Sequence, residues 1–430
     1  MDLSVASTPA YPGQTMENGQ QHGHPALGAG SRISWIPEQV RNDKNWMATS
    51  LDAWGIYVHV PWCHRRCSYC DFYFEIGKSD SKFSTSVLIE WNARRQSFPL
   101  LPAETLYFGG GTPSTLSALQ ISQIIESIKS SQSLQPDAEI TLEANPEDLN
   151  SSYLTEIKQA GINRLSLGVQ SFDDAILKWL GRKHDAKIAR NSITQALDAG
   201  FTKLSVDLIV GVPGEDWSQI KEAISWLNEV GVGHVSVYIL TVEPLTPLER
   251  LIEKGQRLRP IEDAQAVAYE QAQAVLIEQG YRQYEISSFA KPGQESQHNR
   301  LYWAQGSYLG LGPGAHSMLL QPDGSIYRRH TKGLLAEWLK NPAAATFSED
   351  ILDPGHALLE SLAFGIRDLL RGVQVKSQLE RHKCALPITF SSTVENLKDR
   401  GWVIQQDEHL FLTPLGTLFA DAVAREFLGM

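Results

Sequence analysis

Cysteine is scarce in this chain, and its distribution is uneven. Only four cysteines occur among 430 residues, and Cys63, Cys67 and Cys70 fall within eight positions while Cys384 stands alone. A disulfide framework needs paired cysteines spread along the chain, so this distribution argues against one. A cytoplasmic protein that uses reduced thiols fits better, and Cys384 is interpreted as a core thiol.

The chain also lacks long apolar runs and a basic excess. No stretch of about 18 apolar residues is present, so no membrane anchor is expected. No basic segment followed by an apolar one opens the sequence, so no secretory signal is expected. The formal net charge of −11 argues against nucleic acid as a partner, because lysine and arginine make most phosphate contacts. Polar residues without periodicity predict a disordered or extended tail over residues 1–50.

From about residue 54, short β-rich runs alternate with helix-like stretches. The runs are GIYVHV (55–60), TLYFGG (105–110), EITLEA (139–144), RLSLGV (164–169), KLSVDLIV (203–210) and HVSVYIL (234–240). This alternation predicts an α/β fold with a parallel sheet and right-handed crossovers. Six such units favour an open, partial (β/α)6 barrel over residues 51–290, with functional residues at the carboxyl ends of the strands.

The rest of the sequence divides into a connecting segment, 291–349, and a small C-terminal domain, 350–430. The connecting segment carries HNRLYW (298–303) and GLGPGAH (310–316). The C-terminal domain shows three helical stretches, an alternating segment around Asp407 and a last helix, which is a winged-helix-like α+β order. Its 8 basic and 11 acidic residues favour a lid or docking module over DNA binding.

The three clustered cysteines form a C-x3-C-x2-C pattern after the first predicted strand. Thiolates in one short loop can converge on a single soft metal centre. Structural zinc sites and ordinary ferredoxin clusters take four protein ligands, whereas three thiolates leave one iron of a four-iron cluster open. A zinc site completed by His59 or His64 is the alternative that the residues themselves leave open.

The spacing and position of these cysteines resemble those of the radical S-adenosylmethionine (SAM) superfamily. In that family the open iron binds the amino and carboxylate groups of SAM, and an electron from the cluster cleaves its sulfonium. YFGGGTPS (107–114) resembles the family's glycine motif, in which glycine permits close approach of the backbone to a ligand. The resemblance implies a [4Fe–4S] cluster on Cys63, Cys67 and Cys70, with SAM as exchangeable cofactor.

From about residue 55 to 430, the chain resembles the oxygen-independent coproporphyrinogen III oxidase family. YVHVPWCHRRCSYCDF, LEANPEDL, RLSLGVQSF, LGRKH and SVDLIVGVPGE carry the likeness together with the glycine motif. By that likeness Glu143 and Asp207 would accept hydrogen bonds from SAM, and Arg182 would pair with its carboxylate. The full set of implied SAM contacts is Tyr57, Tyr69, Gly110, Gly111, Thr112, Glu143, Gln170, Arg182 and Asp207.

This family contains the oxidase and a sister group, the HemW-type haem chaperones. The cysteine motif of the oxidase is C-x3-C-x2-C-x-C, whereas in this chain Phe72 occupies the position of the last cysteine. The oxidase also has a structured N-terminal arm, for which the first 31 residues are too polar. HNRLYW is similar to a motif of the haem-binding group, so the likeness favours the chaperones.

His298 is the haem ligand that this likeness implies. A neutral imidazole is a common axial ligand of haem iron. The neighbouring Arg300, Tyr302 and Trp303 could pair with a propionate and pack on a porphyrin face. His316, His59 and His64 are the alternative ligands.

Two functions of different classes follow from the likeness. In the first, the cluster and SAM maintain a haem-carrying conformation, and haem passes to an acceptor protein; a membrane-bound acceptor would fit. In the second, a SAM-derived radical abstracts hydrogen from the propionates of coproporphyrinogen, which then lose carbon dioxide; another tetrapyrrole substrate is a variant of this enzyme. Phe72 and the HNRLYW motif favour the carrier over the enzyme.

Overall fold

The computed structural model describes residues 53–98 and 101–430, so the tail predicted for residues 1–50 lies outside the described residues. The strands of the described residues begin at Trp54 and continue into the C-terminal domain. In chain order they are β1 (Trp54–Val60), β2 (Trp62–Cys63), β3 (Glu75–Ile76), β4 (Ala103–Gly110), β5 (Leu134–Ala144), β6 (Arg164–Gln170), β7 (Lys203–Val210), β8 (His234–Ile239), β9 (Arg282–Gln283), β10 (Ser288–Ala290), β11 (Ser307–Leu311), β12 (His316–Leu320), β13 (Ile326–Thr331), β14 (Phe347–Leu352), β15 (Val373–Gln374), β16 (Val403–Gln406) and β17 (His409–Leu412).

Helices alternate with the longer strands. In chain order they span Phe83–Arg94, Ala118–Ser130, Ser151–Gln159, Asp174–Leu180, Ala186–Asp198, Trp217–Glu229, Pro247–Glu253, Glu262–Glu278, Gln297–Trp303, Leu335–Lys340, Pro354–Gly365, Val375–His382, Phe390–Asp399, Pro414–Leu418 and Ala420–Leu428. The helix that follows the glycine motif begins at a capping box between Ser117 and Gln120. Its isoleucines recur at helical spacing and are buried on one face, which fixes the helix against the sheet.

Twelve strands form one sheet, in the order β14-β13-β12-β11-β1-β4-β5-β6-β7-β8-β10-β9. The strands from β1 to β8 in that order pair in parallel, and they are the six that the sequence predicts. The partial (β/α)6 barrel is therefore confirmed. The connecting segment adds strands to this sheet, because β11 pairs in parallel with β1 and carries β12, β13 and β14 in antiparallel order.

The side chains on the two faces of β1 differ in polarity and in what they contact. Ile56, Val58 and Val60 are fully buried in the main hydrophobic core. Side chains alternate along a strand, so Tyr57 and His59 point to the opposite face, which lines the inside of the barrel. Their rings lie within 6.0 Å of one another on that face. Apolar residues thus hold the sheet to its helices, and polar aromatic residues are left for the interior.

The C-terminal domain has its own hydrophobic core and the expected winged-helix-like order. Its small sheet pairs β15 with β17 and β17 with β16. The last predicted helix is divided in two, because the chain turns at Phe419, whose ring stacks on Trp402 at 4.6 Å. Within the described residues, no helix combines the length and apolar character needed to cross a bilayer.

Candidate functional site

The three clustered cysteines lie on the loop between β1 and the helix Phe83–Arg94, and all three are free and partly exposed. The loop is attached to the barrel through the backbone of Ser68. The amide of Ser68 donates to the carbonyl of Leu180 at 3.2 Å, and the carbonyl of Ser68 accepts from the amide of Leu248 at 2.7 Å. These bonds hold the cysteine loop over the carboxyl ends of the strands, where the sequence predicts the site.

Two of the thiols accept hydrogen bonds from residues of the predicted SAM set. Thr112 Oγ1 lies 3.3 Å from the sulfur of Cys63, and Arg182 Nη1 lies 3.4 Å from the sulfur of Cys67. Such donors stabilise sulfur that carries negative charge, as the thiolate ligands of a cluster do. Burial raises the pKa of the Cys70 thiol to about 12 and also raises the pKa of Cys63. Loading a metal would therefore release protons from these thiols.

The histidines of the zinc alternative are engaged elsewhere. His59 lies at hydrogen-bond distance from Tyr57 Oη and from the carbonyl of Tyr73, at 3.2 and 3.1 Å. His64 Nε2 lies 3.2 Å from a carboxylate oxygen of Asp148. Among the described residues, no three His, Cys, Asp or Glu side chains are arranged so that they could hold a metal ion. The donor chemistry of three thiols on one loop fits an iron–sulfur cluster, and neither histidine is directed to complete a zinc site.

The glycine motif is required by the packing of the cysteine segment. Gly110 has a φ of +108°, and a Cβ there would lie 2.7 Å from the ring of His59. A Cβ on Gly111 would lie 2.7 Å from the carbonyl oxygen of Trp62. Any side chain at Gly111 would therefore push the strand that leads into Cys63 away from β4. The glycines bring Thr112 next to the thiols, which is a structural reason for the motif in addition to ligand contact.

Two partly buried carboxyl groups face the barrel interior. Glu143 accepts a hydrogen bond from Tyr107 Oη at 2.8 Å, and Asp207 accepts one from Ser166 Oγ at 3.2 Å. Burial raises the pKa of Glu143 to about 7 and that of Asp207 to about 6. Within the described part of the chain, neither forms an ion pair with a basic side chain. A ligand that brings positive charge, as SAM does on its sulfonium and amino groups, fits this interior.

Arg182 links the strand ends to the cysteine loop. Its Nη2 atom donates to Asn145 Oδ1 at 2.6 Å and to the carbonyl of Gly168 at 2.8 Å. Its Nε atom is buried without a hydrogen-bond partner in the described residues. With three of its five N–H groups used, this guanidinium keeps donors that make no hydrogen bond within the described residues, which fits the predicted contact with a SAM carboxylate.

The remaining predicted SAM contacts lie around the same interior. Tyr57 stacks on Tyr107 with ring centroids 6.2 Å apart. Gln170 ends β6 with a φ of +69°. Tyr69 lies beside Arg182 and packs on a small apolar cluster. The structure thus collects the predicted SAM set at one end of the barrel.

Comparisons with known proteins identify the family. The sequence profile of the Radical SAM superfamily matches residues 57–227. The chain is 32% identical to heme chaperone HemW of Bacillus subtilis over 385 residues, covering 87% of this chain and 98% of that one. The corresponding protein of Mycobacterium tuberculosis is 33% identical over 386 residues, with 87% and 95% covered. The chain belongs to the HemW family of radical SAM proteins.

A solved structure agrees with the fold expected of the HemW family. Coproporphyrinogen III oxidase (HemN) of Escherichia coli superposes with a TM-score of 0.74 and 21% sequence identity, covering 87% of this chain and 90% of that one. At this identity the likeness describes the fold alone. Membership of the radical SAM family implies a [4Fe–4S] cluster and SAM, and the thiols, the arginine donor and the carboxyl groups described above fit both.

The HNRLYW motif, by contrast, lies near the amino ends of the strands, away from the cysteine loop of this HemW-family protein. The helix Gln297–Trp303 carries it, and His298 is only 1% exposed. Its Nδ1 lies 2.7 Å from Thr105 Oγ1 near the start of β4, and its Nε2 lies 2.8 Å from Tyr302 Oη. Arg300 pairs with Asp368 at 2.9 Å instead of reaching an open surface. Both ring nitrogens of His298 are thus engaged in hydrogen bonds at the floor of the barrel. The role of His298 as haem ligand stays a prediction.

Sequence reasoning missed several residues that shape the site. Asn145 positions Arg182, and Tyr107 holds Glu143. Both belong to motifs already recognised, LEANPEDL and YFGGGTPS, so the signal was present without a role attached. His330 had no signal in the sequence. Only the pairing of β12 with β13 shows that it lies beside His316, which the sequence analysis had already named.

Proposed function

We propose that this chain is a haem chaperone that binds haem and passes it to an acceptor protein. Cys63, Cys67 and Cys70 hold a [4Fe–4S] cluster, and the barrel interior around Glu143 and Asp207 holds exchangeable SAM. The cytoplasm suits such a protein, since its thiols are kept reduced there. A membrane-associated acceptor is compatible with this role.

One observation carries this proposal: the likeness to curated haem chaperones extends over nearly their whole length, 98% for the relative from Bacillus subtilis. Phe72 supports it further. The side chain is 54% exposed beside the cysteine loop, at the position where the oxidase pattern has a cysteine. An exposed phenyl group can supply neither a metal ligand nor a proton.

The cofactors have separate tasks in this function. When bound, the cluster supplies an open iron for SAM and an electron that can reach its sulfonium. The chain's own residues orient SAM and exclude water from it. Arg182 binds its carboxylate, and the buried carboxyl groups receive its positive charge. In a carrier, occupation of this interior sets the conformation in which haem is held.

A paired assay tests carrier against enzyme. The full-length, cluster-reconstituted chain is incubated anaerobically with haem and passed through gel filtration, and a second sample receives coproporphyrinogen III, SAM and a low-potential reductant. Haem should elute with the protein, and the porphyrinogen should keep its propionates. Decarboxylated porphyrin from the second sample, with haem lost from the first, would establish the oxidase function instead.

A further inference from the structure

Two histidines differ from all others in the described part of the chain. Every other described histidine uses a ring nitrogen in a hydrogen bond or ion pair, and five of them have both nitrogens engaged: His59, His184, His234, His298 and His382. The side chains of His316 and His330 form no hydrogen bond within the described residues. Their rings are parallel, with an interplanar angle of 1° and centroids 4.0 Å apart. Four imidazole nitrogens are therefore available at one place.

The pair lies on the face of the sheet that lines the barrel. Tyr57 on β1 aligns with Gly310 on β11, and His316 on β12 aligns with His330 on β13. Gly310 lies directly beside His316, since a Cβ on that glycine would be 1.9 Å from the His316 carbonyl oxygen. The row thus runs from Tyr57 across a position with no side chain to the two imidazoles. Two strand spacings, about 10 Å, separate Tyr57 from His316.

The pair is also connected to the cysteine loop. The ring of Tyr73, three residues after Cys70, fits against Gly314 and Gly333, whose Cβ atoms would lie 2.8 and 2.9 Å from it. Gly314 lies on the turn just before His316. A ligand held by the histidines would therefore lie beside the segment that carries the cluster cysteines.

Both imidazoles are neutral and reachable. Each residue is partly buried and keeps part of its surface exposed. Burial lowers the pKa of His316 to about 4, and burial also lowers the pKa of His330. A neutral imidazole has the lone pair that iron binds.

The number of ligands favours porphyrin iron over a bare metal ion. A zinc or other bare transition-metal site takes three or four protein ligands. Within the described residues, no third His, Cys, Asp or Glu side chain is arranged with the pair so that the three could hold a metal ion. Haem iron already has four porphyrin nitrogens and needs only one or two axial ligands. Two imidazoles alone are enough for haem.

We propose that His316 and His330 form the haem-iron site of this chain, one imidazole as axial ligand and the other stacked against it. The site depends on the proposed function, since haem is its ligand. It places haem on the inner face of β12 and β13, beside the cysteine loop, instead of on His298 in the barrel floor.

The test is anaerobic haem titration of the full-length chain and its variants, followed at the Soret band. The double variant His316→Ala with His330→Ala should bind haem at least tenfold more weakly than the parent chain. Each single variant should shift the Soret maximum. His356→Ala is the matched control, because that exposed histidine pairs with Asp353 outside the sheet face. His298→Ala should lower the melting temperature and leave the Soret maximum in place.

Three further measurements keep the result interpretable. His330→Gly with added imidazole should recover the Soret band, which a purely structural role would not allow. Zinc chloride in place of haem should bind weakly; zinc binding tighter than haem binding would overturn the assignment. An unchanged double variant, beside a parent chain that binds haem, would overturn this site alone. Failure of the parent chain to bind haem would overturn the proposed function as well.

Discussion

Replacement of Glu143 by glutamine should stabilise the protein while removing a ligand contact. The side chain is partly buried in the barrel interior, and burial raises the pKa of its carboxyl group from the ordinary value of 4.5 to about 7. At about 1.36 kcal/mol per pKa unit, ionisation of Glu143 destabilises the folded state by on the order of 3 kcal/mol. Glutamine keeps an oxygen that can accept the hydrogen bond from Tyr107 and carries no charge at any pH.

The sign of the effect fixes its pH window. Because the folded-state pKa is raised, the cost of ionisation is absent below about pH 4.5, grows as the pH rises towards 7 and is complete above it. The melting temperature of cluster-free Glu143→Gln should exceed that of the parent chain by a few degrees at pH 8, and the two should agree at pH 4.5. Glu126→Gln, at an exposed helix position, should change neither value.

SAM affinity should move in the opposite direction. In the parent chain, calorimetry should show SAM binding about tenfold more tightly at pH 8 than at pH 6, since Glu143 ionises between them. Glu143→Gln should bind weakly at both pH values. A variant that is less stable than the parent at pH 8, or that binds SAM with unchanged affinity, would refute the role given to this carboxyl group.

Three further changes test other parts of the site. Gly111→Ala should lower the melting temperature and the iron content after reconstitution, because its Cβ would lie 2.7 Å from the Trp62 oxygen; Gly77→Ala, whose Cβ would be 3.7 Å from its nearest neighbour, should change neither. Arg182→Lys should weaken SAM binding at least tenfold by calorimetry, because lysine keeps the charge and loses the planar fork; equal affinity would contradict the contact. Phe72→Cys should retain about four irons per chain and gain no porphyrinogen decarboxylation, and a gain of that activity would contradict the carrier function.

The barrel could be predicted from the sequence because its signals are local. Each parallel strand is a short run of β-branched and aromatic residues, and each is followed by a helix with regular apolar spacing. The same is true of the cysteine loop and the glycine motif, whose residues are near one another in sequence. Their convergence follows from the rule that carboxyl ends of parallel strands share one edge.

The extension of the sheet depends on contacts that no local pattern records. Glu90 and Arg94 look in sequence like an exposed helical ion pair, yet both are buried. Arg94 donates to the carbonyl of Gly310, and Glu90 accepts from the amide of Gly312, both more than 200 residues away. These bonds fix the turn before His316, so the position of the histidine pair could not be read from the motif alone.

The interpretation of His298 shows the same limit. Its sequence neighbours Arg300, Tyr302 and Trp303 suggest an open haem pocket, but its decisive contact is Thr105, 193 positions away. Arg300 is likewise drawn to Asp368 in the C-terminal domain. A motif can be recognised from sequence, whereas the burial of its members is a property of the whole fold.

Equilibrium haem titration of the full-length, cluster-reconstituted chain is the measurement that tests the carrier function most directly. Absorbance at the Soret band, recorded anaerobically, should rise to a sharp end point at about one haem per chain, with a spectrum typical of imidazole-bound iron. A linear rise without saturation, or the spectrum of free haem throughout, would contradict the claim that this chain carries haem.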